Sequence, residues 1–413
     1  MDSLIHVVSK SDNSQHATFP LTTPPPPLAP SSIRLRTTLI TLSSNNLTYA
    51  RLGDALRWWD AYPVPASASA PYTTWGIVPA WGYATVLSST IPALPADTTL
   101  WGFWPTSSHA FDLQLRGAAP AGHWIETSPH RRALMHLYNR YVAAPIPAAL
   151  PAAAATVALK PVWECGYLAA RHVFAARARC PVHPLGAGLP WTPDDADLSA
   201  AVVVSLSASS KTGRGFAWNL LRNRDEGPLA LLQATSAPGM LKSYGEGAVK
   251  VPSKAVGYGE LATPGTVAWV AGFKPEKVVV LDFGAAGDVL EGFLEAVGAA
   301  SEVSDFKPEV VVIAVGSQMK VYSEEEMKGA QEKMAKLKMV QLNTSGIRDV
   351  AIESESPEEY FKNMNASWEK CLEESGMGEF ETVPEKGIEG VEGVWQDLCE
   401  QKVKPNQAIV VRV

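Results

Sequence analysis

Lysine is almost missing from the first half of this 413-residue chain: before position 211 only Lys10 and Lys160 occur. A net charge of −7 leaves no basic surface for nucleic acid or acidic lipid, and neither partner is expected. No apolar run approaches the roughly 20 residues that span a bilayer, so a membrane partner is not expected either. The opening MDSLIHVVSKSDNSQ lacks the basic-then-apolar order of a secretory signal. Cysteine is sparse, and Cys165, Cys180, Cys371 and Cys399 show no paired spacing. That excludes a disulfide framework and fits a reducing compartment. The expectation is a cytoplasmic α/β protein. No internal repeat of solenoid type is present.

What is present is unevenly placed. A hydrophobic content of 46% is ample for two or three domain-sized cores. Seven of the 13 tryptophans fall within the first 124 residues, which predicts an aromatic-lined cleft and a small hydrophobic substrate. TPPPPLAP (23–30) reads as a stiff connection between early strands or as a ligand for a proline-binding module, and APIPAALPAAAA (144–155) as an interdomain linker. SSIRLRTTLITLSS (31–44) alternates as a half-buried strand does, and short β segments follow in PAWGYATVLSS, TTLWGF and SHAFDL. In HRRALMHLYNRYVAA, Leu134, Leu137, Tyr138 and Tyr141 fall at helical spacing.

From about residue 161 the pattern changes. A helix precedes an apolar strand at 201–206, and strands and helices then alternate to the helix at 324–340. Met327, Ala330, Met334 and Leu337 form that helix's apolar stripe, read as core. This alternation predicts a doubly wound parallel sheet, with ligands beyond the carboxyl ends of its strands. The last strand, QAIVVRV, has nothing after it to pair with and is expected to return to the first region.

A β-rich first region, a Rossmann-type second region and a returning strand together resemble the medium-chain dehydrogenase/reductase superfamily. The resemblance is strongest to its zinc-independent quinone-oxidoreductase and enoyl-reductase branch. Thr48, Tyr49, Arg51 and Gly53 match that branch's Thr-Tyr-x-Arg-x-Gly stretch. NNLTYARLGDALRWWDAYP and SASSKT also resemble an uncharacterised bacterial and fungal family. The implied fold class is α/β: a Rossmann-type doubly wound parallel sheet plus a β-rich, barrel-like (GroES-like) catalytic domain. The implied boundaries are 1–160 with 345–413 for the β-rich domain, and 161–344 for the dinucleotide-binding domain. Many relatives dimerise, so a homodimer is an open expectation, although no segment displays an interface.

The resemblance implies a cofactor site at Ser209, Ser210, Lys211, Thr212 and Gly213, against a motif richer in glycine. Only Gly213 survives of the glycines that let a backbone approach pyrophosphate. Lys211 and Arg214, at the positive end of a helix, make electrostatic sense when an anion joins them, or else point into water. ATSAP (234–238) offers Thr235 and Ser236 where NAD sites carry a carboxylate, and Lys242 lies within plausible reach of a 2′-phosphate. NADP(H) is therefore the expected cofactor.

Zinc is not expected. The segments that carry ligands in zinc dehydrogenases read NNLTYAR and AWGYATV here, and no carboxylate or cysteine accompanies His123, His130 and His136 in a ligand spacing. Tyr49 is the candidate proton donor, with Asp54 and Asp60 as orienting carboxylates or helix caps. Trp58, Asn139 and Arg140 are candidate substrate contacts. The leading expectation is an NADP(H)-dependent reductase of an enone, quinone or ketone. Its rivals are a lyase, isomerase or hydrolase on the same fold, and a non-catalytic binding protein.

Overall fold

The computed structural model describes residues 3–22, 26–175, 180–186, 189–222, 227–241 and 251–413. The chain forms two compact units. The first comprises Met1–Pro161, Met319–Glu324 and Phe380–Val413; the second comprises Val162–Gln318 and Glu325–Glu379.

The first unit opens with an antiparallel hairpin, β1 (Ser3–Val8) and β2 (His16–Leu21). Six further strands follow: β3 (Ser32–Leu42), β4 (Pro79–Ser89), β5 (Thr99–Pro105), β6 (Phe111–Ala118), β7 (His123–Glu126) and β8 (Arg140–Ala143). Their order is β3-β4-β5-β8-β7-β6, and β6 pairs again with β3, so these six strands close into a barrel. One irregularity in β3 makes closure compatible with a single core. Thr37 pairs with Ala84 but Leu39 with Tyr83, so Thr38 is an extra residue. That residue reverses the alternation, and Ile33, Leu35, Ile40 and Leu42 all reach the same core despite their mixed parity. Leu87 is the matching extra residue on β4 and is exposed.

Two expectations are corrected here. Residues 130–144 are not a helix: they form short 3-10 turns at Pro129–Arg131 and His136–Asn139 and then strand β8. Leu134, Leu137, Tyr138 and Tyr141 are buried all the same, because barrel closure collects them through turns rather than along a helical face. The linker expected at 144–155 is helical from Leu150, and Ala153, Ala154 and Val157 pack against Leu39 and Tyr83.

The second unit carries β9 (Ala201–Leu206), β10 (Ala230–Thr235), β11 (Ser253–Gly257), β12 (Lys277–Phe283), β13 (Glu309–Gly316) and β14 (Val340–Gln341). All pair in parallel, in the order β11-β10-β9-β12-β13-β14. This is the 3-2-1-4-5-6 winding of a dinucleotide fold, with its switch point between β9 and β12. β9 and β10 are buried at every residue, as strands covered on both faces must be. The stripe on helix Glu324–Lys336 is only half-buried at Met327 and Met334, and Ala330 is exposed, so it is less of a core than the sequence suggests.

β15 (Glu381–Lys386) and β16 (Gln407–Arg412) complete the first unit. β16 pairs antiparallel with Leu39–Leu42 of β3, so the returning strand extends the barrel sheet. Residues 345–379, expected with the β-rich domain, group with the second unit instead. Buried polar contacts account for this. The Tyr360 hydroxyl donates to Glu164 at 2.8 Å, and Arg348 lies 3.4 Å from the same carboxylate.

Candidate functional site

In the second unit, candidate groups converge where ligands of this winding bind, beyond the carboxyl ends of the central strands. β9 ends at Leu206, and Ser207 turns the chain in the left-handed region at φ 56°. A non-glycine residue there stores strain, a frequent mark of a ligand loop. Ser209 is buried, with its hydroxyl 2.6 Å from that of Thr235 at the end of β10. Ser210 caps helix Lys211–Arg222: its Oγ accepts from the Gly213 N–H at 3.1 Å. Gly213 sits at a close approach: a Cβ would stand 3.0 Å from the Ala208 carbonyl oxygen, tighter than an ordinary contact.

Lys211 and Arg214 do not share a role. Lys211 is half-buried, and burial together with the Arg214 charge pulls its ammonium down to about 8. Arg214 is buried, and its guanidinium donates to the Met377 carbonyl at 2.9 Å. It braces the fold, so its assignment to the cofactor is corrected. Thr212 is half-buried on the first helical turn, Ser236 is exposed just past β10, and Lys242 lies outside the described residues.

Two residues at this end were missed in the sequence. Asp282, near the end of β12, accepts from the backbone N–H of Gly284 at 2.9 Å and of Ala285 at 2.8 Å. Burial outweighs those bonds and raises its carboxyl above the usual range. Tyr258, just past β11, has a phenol raised by burial and hydrogen-bonded to Ser207. The signal available was positional: each sits at or just past the carboxyl end of a strand of the parallel sheet.

In the first unit, Tyr49 lies on helix Ser44–Arg51, which starts at a Ser43 capping box. Its ring is buried edge-on against Trp58 at 4.8 Å and Phe103 at 5.1 Å, and its hydroxyl accepts from Trp81 Nε1 at 3.1 Å. Beside it, Arg51 lies 4.3 Å over the Tyr322 ring. Trp58 is buried against Tyr49 and Tyr138, and its Nε1 has no hydrogen-bond partner among the described residues. Asp54 is exposed, and Asp60 pairs with Arg57 at 2.6 Å. Asn139 is structural rather than a substrate contact: it is buried and donates to the carbonyls of Arg131 and Leu134. Arg140 donates to the Ala119 carbonyl at 2.9 Å and meets His123 Nδ1 at 3.1 Å.

Among the described residues no three His, Cys, Asp or Glu side chains gather as a metal site. Nor, among them, is any helix long and apolar enough to cross a membrane.

A parallel sheet wound 3-2-1-4-5-6 and a closed barrel extended by a C-terminal strand together make an α/β fold of a Rossmann-type sheet plus a β-rich barrel. Residues 40–404 match the family described as "Protein of unknown function (DUF2855)", and the chain belongs to that family. Its structure is similar to CurA from Vibrio vulnificus in complex with NADPH, at TM-score 0.51 and 8% identity over 99% of each chain. It is also similar to a quinone oxidoreductase from Pseudomonas syringae pv. tomato DC3000, at TM-score 0.53 and 12% identity over 100% of each chain. The mitochondrial 2-enoyl thioester reductase Etr1p/Etr2p heterodimer from Candida tropicalis aligns over 100% of each chain at TM-score 0.54 and 9% identity. At such identities the likeness is one of fold. Among curated protein sequences, none matches this chain significantly.

Proposed function

We propose that the chain is an NADP(H)-dependent reductase of an enone, quinone or ketone that works without zinc. The observation that carries this reading is the strained Ser207–Ser210 turn at the switch point of a 3-2-1-4-5-6 sheet, leading into a helix that starts at Lys211. The residues fit a dinucleotide. Gly213 keeps the backbone close, and a half-buried lysine at the positive end of a helix is offset by a phosphate. Ser236 stands where an NAD site carries a carboxylate, so it leaves room for a 2′-phosphate. A structural neighbour described with NADPH supports the same cofactor.

A nicotinamide held at the Ser209–Gly213 turn would supply the hydride chemistry. Tyr49 donates its phenol proton as a hydrogen bond to the substrate oxygen while charge develops there. The indole N–H of Trp81, pointed at the phenol oxygen, favours that donation by stabilising negative charge on it.

Calorimetric titration with NADPH and NADH tests the proposal. NADPH is expected to bind more tightly, and Lys211→Glu to weaken it about ten-fold or more. Tyr49→Phe is expected to lower turnover roughly ten-fold to a thousand-fold while sparing NADPH affinity. Absence of binding by either nucleotide would overturn the proposal in favour of a non-redox enzyme or a binding protein.

A further inference from the structure

The turn after β9 carries Ser209 and Ser210 in a stretch that is richer in glycine where a pyrophosphate is bound. Ser210 caps the following helix. Ser209 goes the other way. It is 3% exposed, so its side chain is turned into the protein and away from the outer surface of the turn. There it meets Thr235, the last residue of β10 and 1% exposed, with the two hydroxyl oxygens 2.6 Å apart.

Thr235 holds a second segment as well. Its Oγ1 accepts from the Ala237 N–H at 3.3 Å, bridging Ser236. One hydroxyl therefore joins the end of β10 to the Ser207–Ser210 turn on one side and to the Ser236 segment on the other. The backbone adds a further tie between turn and strand, the Ala208 N–H donating to the Ala234 carbonyl at 3.1 Å. Ser207 is held separately, by Tyr258 just past β11. Because the hydroxyl pair is out of water, solvent does not replace the bond when one partner is removed.

From this arrangement we infer that Thr235 is a positioning residue for the nucleotide. The inference rests on the reading of the turn as an NADP(H) site and adds to it the group that holds the two sides of that site together. A serine in place of glycine leaves the outer face of the turn open to a pyrophosphate only while its side chain is kept inward, and Thr235 keeps it there. The same hydroxyl fixes Ser236, beside the proposed 2′-phosphate position, relative to the turn. Thr235 itself is buried and touches no nucleotide.

Calorimetric titration of the full chain with NADPH and NADH provides the test, on the parent, Thr235→Val, Thr235→Ser, Ser209→Ala and the double variant Ser209→Ala with Thr235→Val. Valine keeps the branched shape that suits a strand, and urea unfolding verifies that each variant is folded. Thr235→Val is expected to weaken NADPH about ten-fold and NADH about three-fold, because both the turn and the Ser236 segment are released. Thr235→Ser keeps the hydroxyl and is expected to restore both affinities to within about two-fold. Ser209→Ala releases the turn alone, so it is expected to weaken both nucleotides about three-fold. Adding Thr235→Val to Ser209→Ala is expected to cost NADH nothing more, since their shared bond is already lost. Unchanged affinity in Thr235→Val, equal losses in Thr235→Val and Thr235→Ser, or independent losses of NADH affinity in the double variant would each overturn the inference. All three leave the parent's nucleotide binding in place, whereas a parent that binds neither nucleotide would overturn this inference and the NADP(H) reading together.

Discussion

The barrel and the parallel sheet bury their interiors with different materials. The barrel is filled with rings: Trp81 stacks on Trp101 at 4.9 Å, Trp104 packs on Tyr141 at 4.5 Å, and Phe103 packs on Tyr138 at 4.6 Å. The parallel sheet is filled with aliphatic chains, with Val202, Val203 and Val204 on β9 opposite Val278, Val279 and Val280 on β12. Rings are large, so the barrel accommodates them only where neighbouring backbone carries no side chain. Valines are small and uniform, so the sheet needs no such exceptions. The barrel therefore depends on single glycines such as Gly102 against the Tyr141 ring, whereas the second unit's counterpart, Gly376 against Trp218, lies outside the sheet.

Substitution of glycine should break this comparison most visibly. Gly82 faces Ile40 across the β3–β4 ladder, and a Cβ there would stand 2.0 Å from the Leu39 carbonyl oxygen and 2.8 Å from Ile40 Cα. Backbone cannot yield as a side chain does. Gly82→Val is expected to cost about 3 kcal/mol or more, enough to prevent stable folding of the barrel. The opposite is expected for Gly298→Ala on helix Val289–Val303, where a Cβ meets nothing within 4 Å. That change should stabilise the second unit by roughly 0.5–1 kcal/mol. Urea unfolding of both variants measures the contrast, and similar midpoints would remove it.

Acid should separate the units next. His6 is fully buried beside His16 and Trp395, its Nδ1 has no hydrogen-bond partner among the described residues, and burial with the His16 charge depresses it to about 3. Its folded value lies below its unfolded one, so the stability it contributes is complete above the unfolded value of about 6.5. That contribution is lost as pH falls from there toward 3. Between pH 7 and 4.5 the parent is expected to lose roughly 2 kcal/mol that His6→Gln does not lose. Carboxylates titrate in both proteins, so the difference between the two curves isolates His6.

The same contrast governs how much was legible in the sequence. β9, β10 and β12 announce themselves because strands covered on both faces are continuous aliphatic runs. The switch point follows from their order, and the loop at Ser209–Gly213 follows from the switch point. Side-chain direction is a different matter. Arg214 sits in the right stretch yet turns inward to Met377, a contact 163 residues away that no local pattern encodes. In the barrel, helical spacing at Leu134, Leu137, Tyr138 and Tyr141 misled because burial was read as helicity. The burial of Trp59 was invisible for a related reason: it requires Gly53 and Gly76, 23 residues apart, to meet one indole.

The smallest effect expected concerns pH and nucleotide affinity in the second unit. Lys211 is held near 8 by burial and by Arg214, so without ligand it loses its proton between pH 7 and 9. A phosphate beside it would favour the charged form, so binding above pH 8 must first recover that proton. The sign follows: NADPH affinity is constant below about pH 7 and weakens as pH rises through 8, by up to about ten-fold at pH 9. The nucleotide's 2′-phosphate does not supply this slope, because a phosphate monoester with a second pKa near 6 is mostly dianionic throughout the range. Lys211→Arg keeps its charge at every pH and is expected to flatten the profile while retaining affinity. Lys211→Gln is expected to flatten it at the weaker, alkaline level. A parent profile as flat as that of Lys211→Arg would mean that no phosphate meets Lys211, and the strained turn at Ser207 would then need another ligand to explain it.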